Sequence, residues 1–151
     1  MTDESQMMLA LELAEQAAEE DETPVGAVIV YENRIIATGR NRREIGQDAL
    51  AHAELEAIAE ACRALGSWRL CGCTLYVTLE PCPMCAGAMI NARIDRIVYG
   101  AADPKAGCCG SVVDLFALPF NHKPEVSGGV MAEECGRILS EFFRKLRRKN
   151  L

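Results

Sequence analysis

The sequence lacks three features that would assign it to common classes of protein. No apolar run in its 151 residues approaches the roughly eighteen residues that a membrane-spanning helix needs. The first 22 residues contain eight acidic residues and no lysine or arginine, whereas secretory signals and transit peptides carry positive charge. No internal repeat, linker or low-complexity segment divides the chain. We therefore expect one domain over residues 1–151, in a cytoplasmic protein with no membrane partner.

Histidine is scarce in this chain, with two residues, whereas cysteine is abundant, with eight. Because disulfide frameworks are rare in a reducing compartment, the cysteines are better explained by metal binding, catalysis or burial. Any site that requires a histidine has only His52 and His122 to use.

Charge is distributed unevenly along the chain. The net charge of −6 argues against nucleic acid as a partner. Residues 1–22 contribute −8, however, whereas residues 137–151 carry six positive charges and one negative charge, or +5. The basic carboxy-terminal segment is therefore either a solvated helix face or a local surface for an anionic partner.

Apolar periodicity predicts alternating helices and strands. A helix over residues 5–20 precedes two β-branched runs, "PVGAVIVY" and "RIIATGRN", whose short polar connection predicts a hairpin. A second helix over about 51–65 is followed by a strand at "TLYVTL", a helix at "PMCAGAMINAR" and a strand at "RIVYGA". A strand near 125–130 and an amphipathic helix over about 132–149 complete the pattern. The predicted fold is α/β, a three-layer α/β/α sandwich with a five-stranded mixed sheet that starts with an antiparallel hairpin and continues in parallel.

The stretch "LEPCPMC" contains two cysteines that suit one metal ion. Pro83 is at home in the first turn of a helix, which places Cys82 near the N-cap and Cys85 in the first turn. Residues three apart share a helix face, and the positive end of the helix dipole favours thiolates. A catalytic zinc site needs a third protein ligand and an open position for water.

The stretch "AHAELEAI" offers the third ligand. His52 lies thirty residues before Cys82, and Glu54 follows it by two positions. Residues two apart point in different directions inside a helix, but they can serve one site at a helix start. We expect such a start here, with Asp48 as the candidate cap.

Neither motif is specific when it is taken alone. A His-x-Glu pair can be accidental, and a Cys-x-x-Cys pair can be redox-active, structural or inert. The conjunction is more specific, because H-x-E at one helix start followed by P-C-x-x-C at the next is the signature of zinc nucleobase deaminases.

The order and spacing of the motifs resemble the bacterial tRNA-specific adenosine deaminases of the cytidine-deaminase-like superfamily. The matching segments, spread over about residues 5–148, are "PVGAVIV", "NR" at 41–42, "AHAE", "LYVTLEPCPMCAGAMI", "GAADPKAG", "NHK" and "EFFRKLRR". The resemblance implies a single CMP/dCMP-type deaminase domain that converts adenosine to inosine at the wobble position of a tRNA anticodon. It also implies one Zn²⁺ per chain, the anticodon stem-loop as partner, and a homodimer.

The resemblance also implies roles for individual residues. His52, Cys82 and Cys85 would bind the zinc, and Glu54 would carry protons as the catalytic acid and base. The other matching residues would bind substrate: Asn41 and the backbone of Ala53 would hold the base, Asp103 and Lys105 the flanking ribose and phosphate, and Asn121 and His122 the RNA at the pocket rim. Asn41 and Asp103 also suit turns, and His122 could instead be a packed histidine.

The last predicted helix combines Phe142 and Phe143 with a basic cluster that begins at Arg144. Aromatic and basic side chains together suit unstacked RNA bases and phosphates. We expect Phe143 and Arg144 to contact RNA and one of the two phenylalanines to belong to the core.

Two competing hypotheses remain from the sequence. The same zinc chemistry could deaminate a free base or nucleoside, such as guanine or cytosine. A protein without catalytic activity could instead hold a closed structural zinc with Cys82, Cys85, Cys108 and Cys109, in which case Glu54 would be dispensable.

Overall fold

The computed structural model describes residues 1–149 and contains five strands, five α-helices and a 3₁₀ turn within that range. The strands are β1 (Gly26–Tyr31), β2 (Arg34–Arg40), β3 (Cys73–Leu79), β4 (Arg96–Ala101) and β5 (Glu125–Ser127). The helices are α1 (Asp3–Glu19), α2 (Arg43–Gly46), α3 (Ala53–Leu65), α4 (Pro83–Asn91) and α5 (Ala132–Lys149), and the 3₁₀ turn is Leu115–Ala117.

The strands form one mixed sheet in the order β2-β1-β3-β4-β5. The β1–β2 hairpin turns at Glu32 and Asn33, whose φ angles of 49° and 60° suit the right-handed twist of hairpin strands. Strand β3 is antiparallel to β1 and parallel to β4, which in turn is parallel to β5. The predicted five-stranded mixed sheet is therefore confirmed.

Helices cover both faces of this sheet. One hydrophobic cluster packs α3 and α4 against one face, and a second packs α1 and α5 against the other. The apolar side chains of α3 that face the sheet are alanines four residues apart, Ala53, Ala57 and Ala61, all fully buried. Their small size lets α3 lie close to the strands, as predicted for a three-layer α/β/α sandwich.

Two glycines permit this close packing on opposite faces. A methyl group at Gly39 of β2 would lie 2.9 Å from the Ala57 nitrogen and closer still to the Ala53 carbonyl. A methyl group at Gly26 of β1 would lie 2.8 Å from the Ala14 nitrogen of α1. Because backbone atoms fill the space on that side, only glycine lets each helix approach its strand so closely.

Ion pairs tie both ends of the amino-terminal helix to the sheet, Asp3 to Arg96 at its start and Glu20 to Arg40 at its end. Asp3 accepts two hydrogen bonds of 2.8 Å from the guanidinium of Arg96 and one of 2.9 Å from the Tyr76 hydroxyl. The pKa of Asp3 is lowered, chiefly by the hydrogen bond from Arg96.

Within residues 1–149, no helix is both long and apolar enough to cross a membrane.

Three local expectations need correction. Asp48 is not the cap of α3, since its carboxylate accepts a hydrogen bond from the Leu50 amide in a local turn, and His52 occupies the N-cap. The short helix α2 lies between the predicted hairpin and the predicted second helix, where no element was expected. Strand β5 ends at Ser127 rather than near residue 130, because Gly128 and Gly129, the latter with φ 84°, turn the chain away.

Candidate active site

The starts of α3 and α4 bring three predicted metal-binding side chains together. His52 Nδ1 lies 3.7 Å from the Cys82 sulfur and 3.6 Å from the Cys85 sulfur. All three donor atoms lie within 4.8 Å of one another, and they form the only such group of three or more potential ligands within residues 1–149. His52 is the N-cap residue of α3 and Cys82 that of α4, so two helix N-termini meet here.

The spacing of these donors fits a tetrahedral zinc ion. Zinc–sulfur bonds of about 2.3 Å and a zinc–nitrogen bond of about 2.0 Å would place nitrogen and sulfur about 3.5 Å apart. The distances in the structure are 3.6 and 3.7 Å. A nitrogen and two thiolates are the soft donor set that zinc prefers, and three ligands leave a fourth position open.

A hydrogen bond between the two thiols shifts their pKa values in opposite directions. The hydrogen bond from Cys85 lowers the pKa of Cys82 to about 4, against the opposing effect of burial. The same bond raises the pKa of Cys85, which donates it. Contact with Cys82 raises the pKa of His52. Cys82 is therefore a thiolate near neutral pH, which is the form of cysteine that binds a metal cation.

Glu54 lies beside this cluster and is almost completely buried, with 4% of its surface exposed. Burial raises its pKa to about 7, and the neighbouring Cys82 thiolate adds to the shift. A carboxyl group with a pKa near neutrality can both accept and release a proton under physiological conditions. The structure thus places a candidate acid–base group next to the candidate metal ligands.

A cavity of about 600 Å³ opens above the cluster. Its floor includes His52, Ala53, Glu54 and Cys82, whereas Cys85 lies fully buried behind them. Its walls come from the segment before β1, the β2–α2 connection, the end of β3, the loop after β4 and helix α5. The space is within the range of pockets that enclose small organic molecules.

Asn41 stands on one wall of this cavity and is 6% exposed. Its side-chain amide donates to the Thr23 carbonyl at 3.2 Å and accepts from the Arg43 amide at 3.4 Å. These bonds use one N–H and one lone pair, so one of each remains for a ligand. Buried Glu22 holds the same wall by accepting hydrogen bonds from the backbone amides of Glu44 and Ile45.

The loop after β4 supplies the opposite wall, with Asp103, Pro104 and Lys105. The Asp103 carboxylate accepts hydrogen bonds from the amides of Lys105 and Ala106, which shapes a tight turn. Lys105 is exposed at the rim of the cavity, where its positive charge is available to an anionic ligand.

Helix α5 reaches the cavity with Leu139, Ser140 and Phe143. Phe143 is 41% exposed, whereas Phe142 is half-buried beside Ala18 of α1. Their rings meet edge to face, with centroids 5.4 Å apart. Phe142 belongs to neither hydrophobic cluster beneath the helices, so the expectation that one phenylalanine is a core residue is not confirmed. Contact of Phe143 with RNA stays a prediction.

Three residues predicted to bind substrate lie elsewhere. The His122 ring lies 2.7 Å from the Ile94 carbonyl oxygen, at hydrogen-bond distance, and Asn121 lines a separate shallow cavity near Arg93. Arg144 follows Phe143 on α5 but is not part of the cavity wall. Contact of these three residues with RNA stays a prediction.

Cys108 and Cys109 do not join the metal cluster in the described part of the chain. Cys108 is buried and its thiol donates to the Ala106 carbonyl at 3.6 Å. Burial raises the pKa of Cys109 to about 12, so this thiol stays protonated. A closed zinc site made from these two cysteines with Cys82 and Cys85 is therefore not what the structure supports.

Sequence reasoning missed several residues of this site, which are Glu22, Arg43, Glu80 and Leu139. Glu22 and Glu80 are 0% and 2% exposed. Burial of a glutamate cannot be recognised in a single sequence unless its partners are known, because most glutamates are surface residues. The signal for Glu80 was its position directly before Pro81 and Cys82.

Comparison with known proteins agrees with this arrangement. The family of MafB19-like deaminases matches residues 1–147 of the chain. The tRNA-specific adenosine deaminase of Bacillus subtilis is 54% identical over 148 residues, which cover 97% of this chain and 92% of that protein.

Solved structures also resemble this fold. A structure from a study of A-to-I editing by tRNA:A34 deaminases superposes with a TM-score of 0.87 at 49% identity, covering 89% of this chain and 99% of the other. The guanine deaminase of Bacillus subtilis superposes with a TM-score of 0.67 at 40% identity, covering 78% of this chain and 74% of the other. These likenesses confirm the predicted cytidine-deaminase-like fold. The chain therefore belongs to the cytidine-deaminase-like superfamily and, within it, to the bacterial tRNA-specific adenosine deaminases.

Proposed function

We propose that this chain is a zinc-dependent deaminase that converts adenosine to inosine at the wobble position of a tRNA anticodon. The observation that carries the proposal is the three-donor cluster with an open fourth position beside buried Glu54, at the floor of a cavity of about 600 Å³. The relatives named for this activity share about half of their residues with the chain. We further propose that residues 1–151 form a single deaminase domain.

His52, Cys82 and Cys85 would hold one zinc ion per chain. When bound, zinc acts as a Lewis acid and lowers the pKa of a water in its open position to near neutrality. This chemistry allows water to attack the ring carbon that bears the exocyclic amine of adenosine.

Glu54 would move the protons of the reaction. Its carboxylate takes one proton from the attacking water and delivers it to the ring nitrogen. It then takes the remaining proton from the oxygen that came from water and passes it to the exocyclic nitrogen as the carbon–nitrogen bond breaks. Water and adenosine are consumed, and inosine and ammonia are released. The raised pKa of Glu54 suits both directions of transfer.

Asn41 and the first turn of α3 would hold the base. The free N–H and lone pair of the Asn41 amide can pair with purine ring atoms. Ala53 is the first residue of α3, so its backbone N–H has no partner within the helix and can donate to the ligand. Both groups line the same cavity as Glu54.

An RNA substrate is supported by the charges around the cavity. Arg43 and Lys105 line it, and Phe143 is exposed at its edge. Beyond Phe143, the last two turns of α5 expose Arg144, Lys145, Arg147, Arg148 and Lys149. An exposed aromatic ring followed by basic residues can stack on an unpaired base and bind the adjoining phosphates.

We also propose a cytoplasmic homodimer. All eight cysteines are free thiols in the structure, as is usual in a reducing compartment. The segment before β5 exposes four large apolar side chains, Val112, Val113, Leu118 and Phe120. Exposed apolar side chains favour burial against a second copy, which size-exclusion chromatography with light scattering would detect.

One alternative activity has a specific observation in its favour. The guanine deaminase of Bacillus subtilis is 40% identical over the superposed region. A cavity that admits a flipped base could also admit a free base. The exposed basic residues of α5 favour RNA, since a free base carries no phosphate.

Incubation with substrates from each class would decide between the two activities. The purified, zinc-loaded chain is given its unmodified tRNA and, separately, guanine, cytosine and adenosine, and products are identified by mass spectrometry. We expect one inosine per tRNA at the wobble position. Turnover of free substrates alone would overturn the proposal.

A further inference from the structure

Glu80 makes an unusual set of contacts for a buried carboxylate. It is 2% exposed and lies between the end of β3 and Cys82. Its Oε1 accepts from the Asp103 amide at 2.9 Å and from the Ser111 hydroxyl. Its Oε2 accepts from the Cys109 amide at 2.8 Å and from the Ser111 amide at 3.2 Å. All four donors belong to one loop, residues 102–111.

The loop has one other link to the segment after β3, because Cys108 is buried in the hydrophobic core and its amide donates to the Pro81 carbonyl at 2.9 Å. It contains no helix, and its one β-bridge joins Cys109 to Asp114 at its far end. Its remaining bonds are mostly local, such as the Gly107 amide with the Asp103 carbonyl at 2.9 Å. Since burial of a carboxylate is costly unless its lone pairs are satisfied, the Glu80 carboxylate and the loop depend on each other.

Gly107 shows how tightly the loop wraps around this carboxylate. A methyl group at Gly107 would lie 2.5 Å from both Glu80 oxygens. The loop therefore has one favourable path, which carries Asp103 and Lys105 to the rim of the cavity above the metal cluster.

We propose that Glu80 is a positioning residue for RNA recognition, which fixes loop 102–111 so that Asp103 and Lys105 can hold the nucleotides beside the target adenosine. The inference rests on the proposed function and assigns different roles to two buried glutamates. Glu54 acts on the reacting atoms, whereas Glu80 also borders the cavity but uses both carboxylate oxygens to hold the loop.

Replacement of Glu80 by glutamine tests this division with little change in shape. Glutamine keeps one acceptor oxygen and replaces the other with an N–H₂ group. When the N–H₂ group takes the place of Oε1, the Ser111 hydroxyl can rotate and accept a hydrogen bond from it. The Asp103 backbone amide can only donate, so it loses its acceptor. The part of loop 102–111 that contains Asp103 should therefore become mobile first.

The variant Glu80→Gln is compared with the parent on an anticodon stem-loop RNA. Loss of a hydrogen bond to a charged group predicts a rise in KM of about tenfold or more, with kcat and zinc per chain unchanged within about twofold. Asp3→Asn is the control, because it breaks a partly buried carboxylate contact far from the cavity and should leave KM unchanged. An unchanged KM in Glu80→Gln, or a fall in kcat that follows loss of zinc, would overturn the inference.

Amide hydrogen exchange tests the anchor without any substrate. The amides of Asp103, Cys109 and Ser111 should exchange faster in Glu80→Gln than in the parent, and their unchanged protection would refute the anchoring role. If the parent itself does not deaminate RNA, the proposed function fails, whereas the exchange result still decides the role of Glu80. If Glu80→Gln does not fold, Ser111→Ala removes one of the four bonds and should raise KM by about two- to threefold; no change in KM would then count against the proposal.

Discussion

Gly39 determines how closely α3 approaches the sheet, and it should therefore control the metal site from a distance. A methyl group at this position would lie 2.9 Å from the Ala57 nitrogen and closer still to the Ala53 carbonyl. These are backbone atoms of the first turns of α3, which cannot rotate away. The helix start must move by something on the order of 1 Å in Gly39→Ala, because a packed interior has no free volume to absorb the methyl group.

That movement would displace His52 and Glu54 but not the cysteines. His52 and Glu54 belong to the start of α3, whereas Cys82 and Cys85 belong to α4. Metal sites tolerate deviations of only about 0.2 Å in ligand distance. We expect Gly39→Ala to weaken zinc binding by about 10- to 100-fold, the range seen when the support of a metal ligand is lost, and to reduce the free energy of unfolding by about 1–3 kcal/mol.

Gly26→Ala provides the matched control. Its methyl group would meet backbone atoms of α1 with similar closeness, 2.8 Å from the Ala14 nitrogen, on the opposite face of the sheet. It should destabilise the fold to a similar degree and leave zinc affinity unchanged. Zinc affinity is measured by competition with a chromogenic chelator, and stability by thermal unfolding. Equal zinc affinity in the two variants would refute the reasoning.

Four further outcomes follow from the structure. Glu54→Gln should keep zinc and fold but lose about 10²–10⁴ of the deamination rate, and activity within a few-fold of the parent in a tRNA assay would contradict its role. His52→Ala should lose zinc and Cys108→Ala should keep it, as measured by elemental analysis; the reverse result would revive a structural zinc site. Replacing Arg144 and Arg148 by alanine should weaken tRNA binding. The slope of log affinity against log salt concentration, measured by filter binding, should become less steep by about 0.7–0.9 for each phosphate that is no longer neutralised; an unchanged slope would show that these arginines do not contact phosphates. Because the hydrogen bond from Arg96 lowers the pKa of Asp3, the stability gained from that pair is complete above the ordinary pKa of aspartate and is lost as pH falls through the lowered value. Asp3→Asn should therefore show less loss of stability than the parent in thermal unfolding between about pH 6 and pH 2, and identical curves would count against it.

The sheet and the helix starts at the site were predictable because local rules and tertiary packing agree there. Pro83 starts α4 at the predicted place, with Cys82 as its N-cap residue. The hairpin turn at Glu32 and Asn33 also follows from the strands on either side. In each case the local sequence and the tertiary packing favour the same backbone path.

The rest of the site depends on contacts between distant segments, which a single sequence does not reveal. Glu80 meets its partners 23 to 31 residues further along the chain, and Glu22 meets Glu44 22 residues away. Asp48 fits the rules for a helix cap, but a local turn to Leu50 uses its carboxylate instead. Asn121 and His122 suit RNA binding by residue type, yet the fold directs them away from the cavity.

The two helices that meet at the cluster begin without the usual side-chain support. Neither His52 nor Cys82 makes a side-chain capping hydrogen bond within residues 1–149, although both occupy N-cap positions. Both side chains are directed to the cluster instead. An ion bound there would cross-link two helix ends that lie thirty residues apart in sequence, and its binding energy would add to the stability of the native state. The melting temperature should then rise with zinc concentration. The contacts that form the catalytic site therefore also make the stability of the fold depend on zinc.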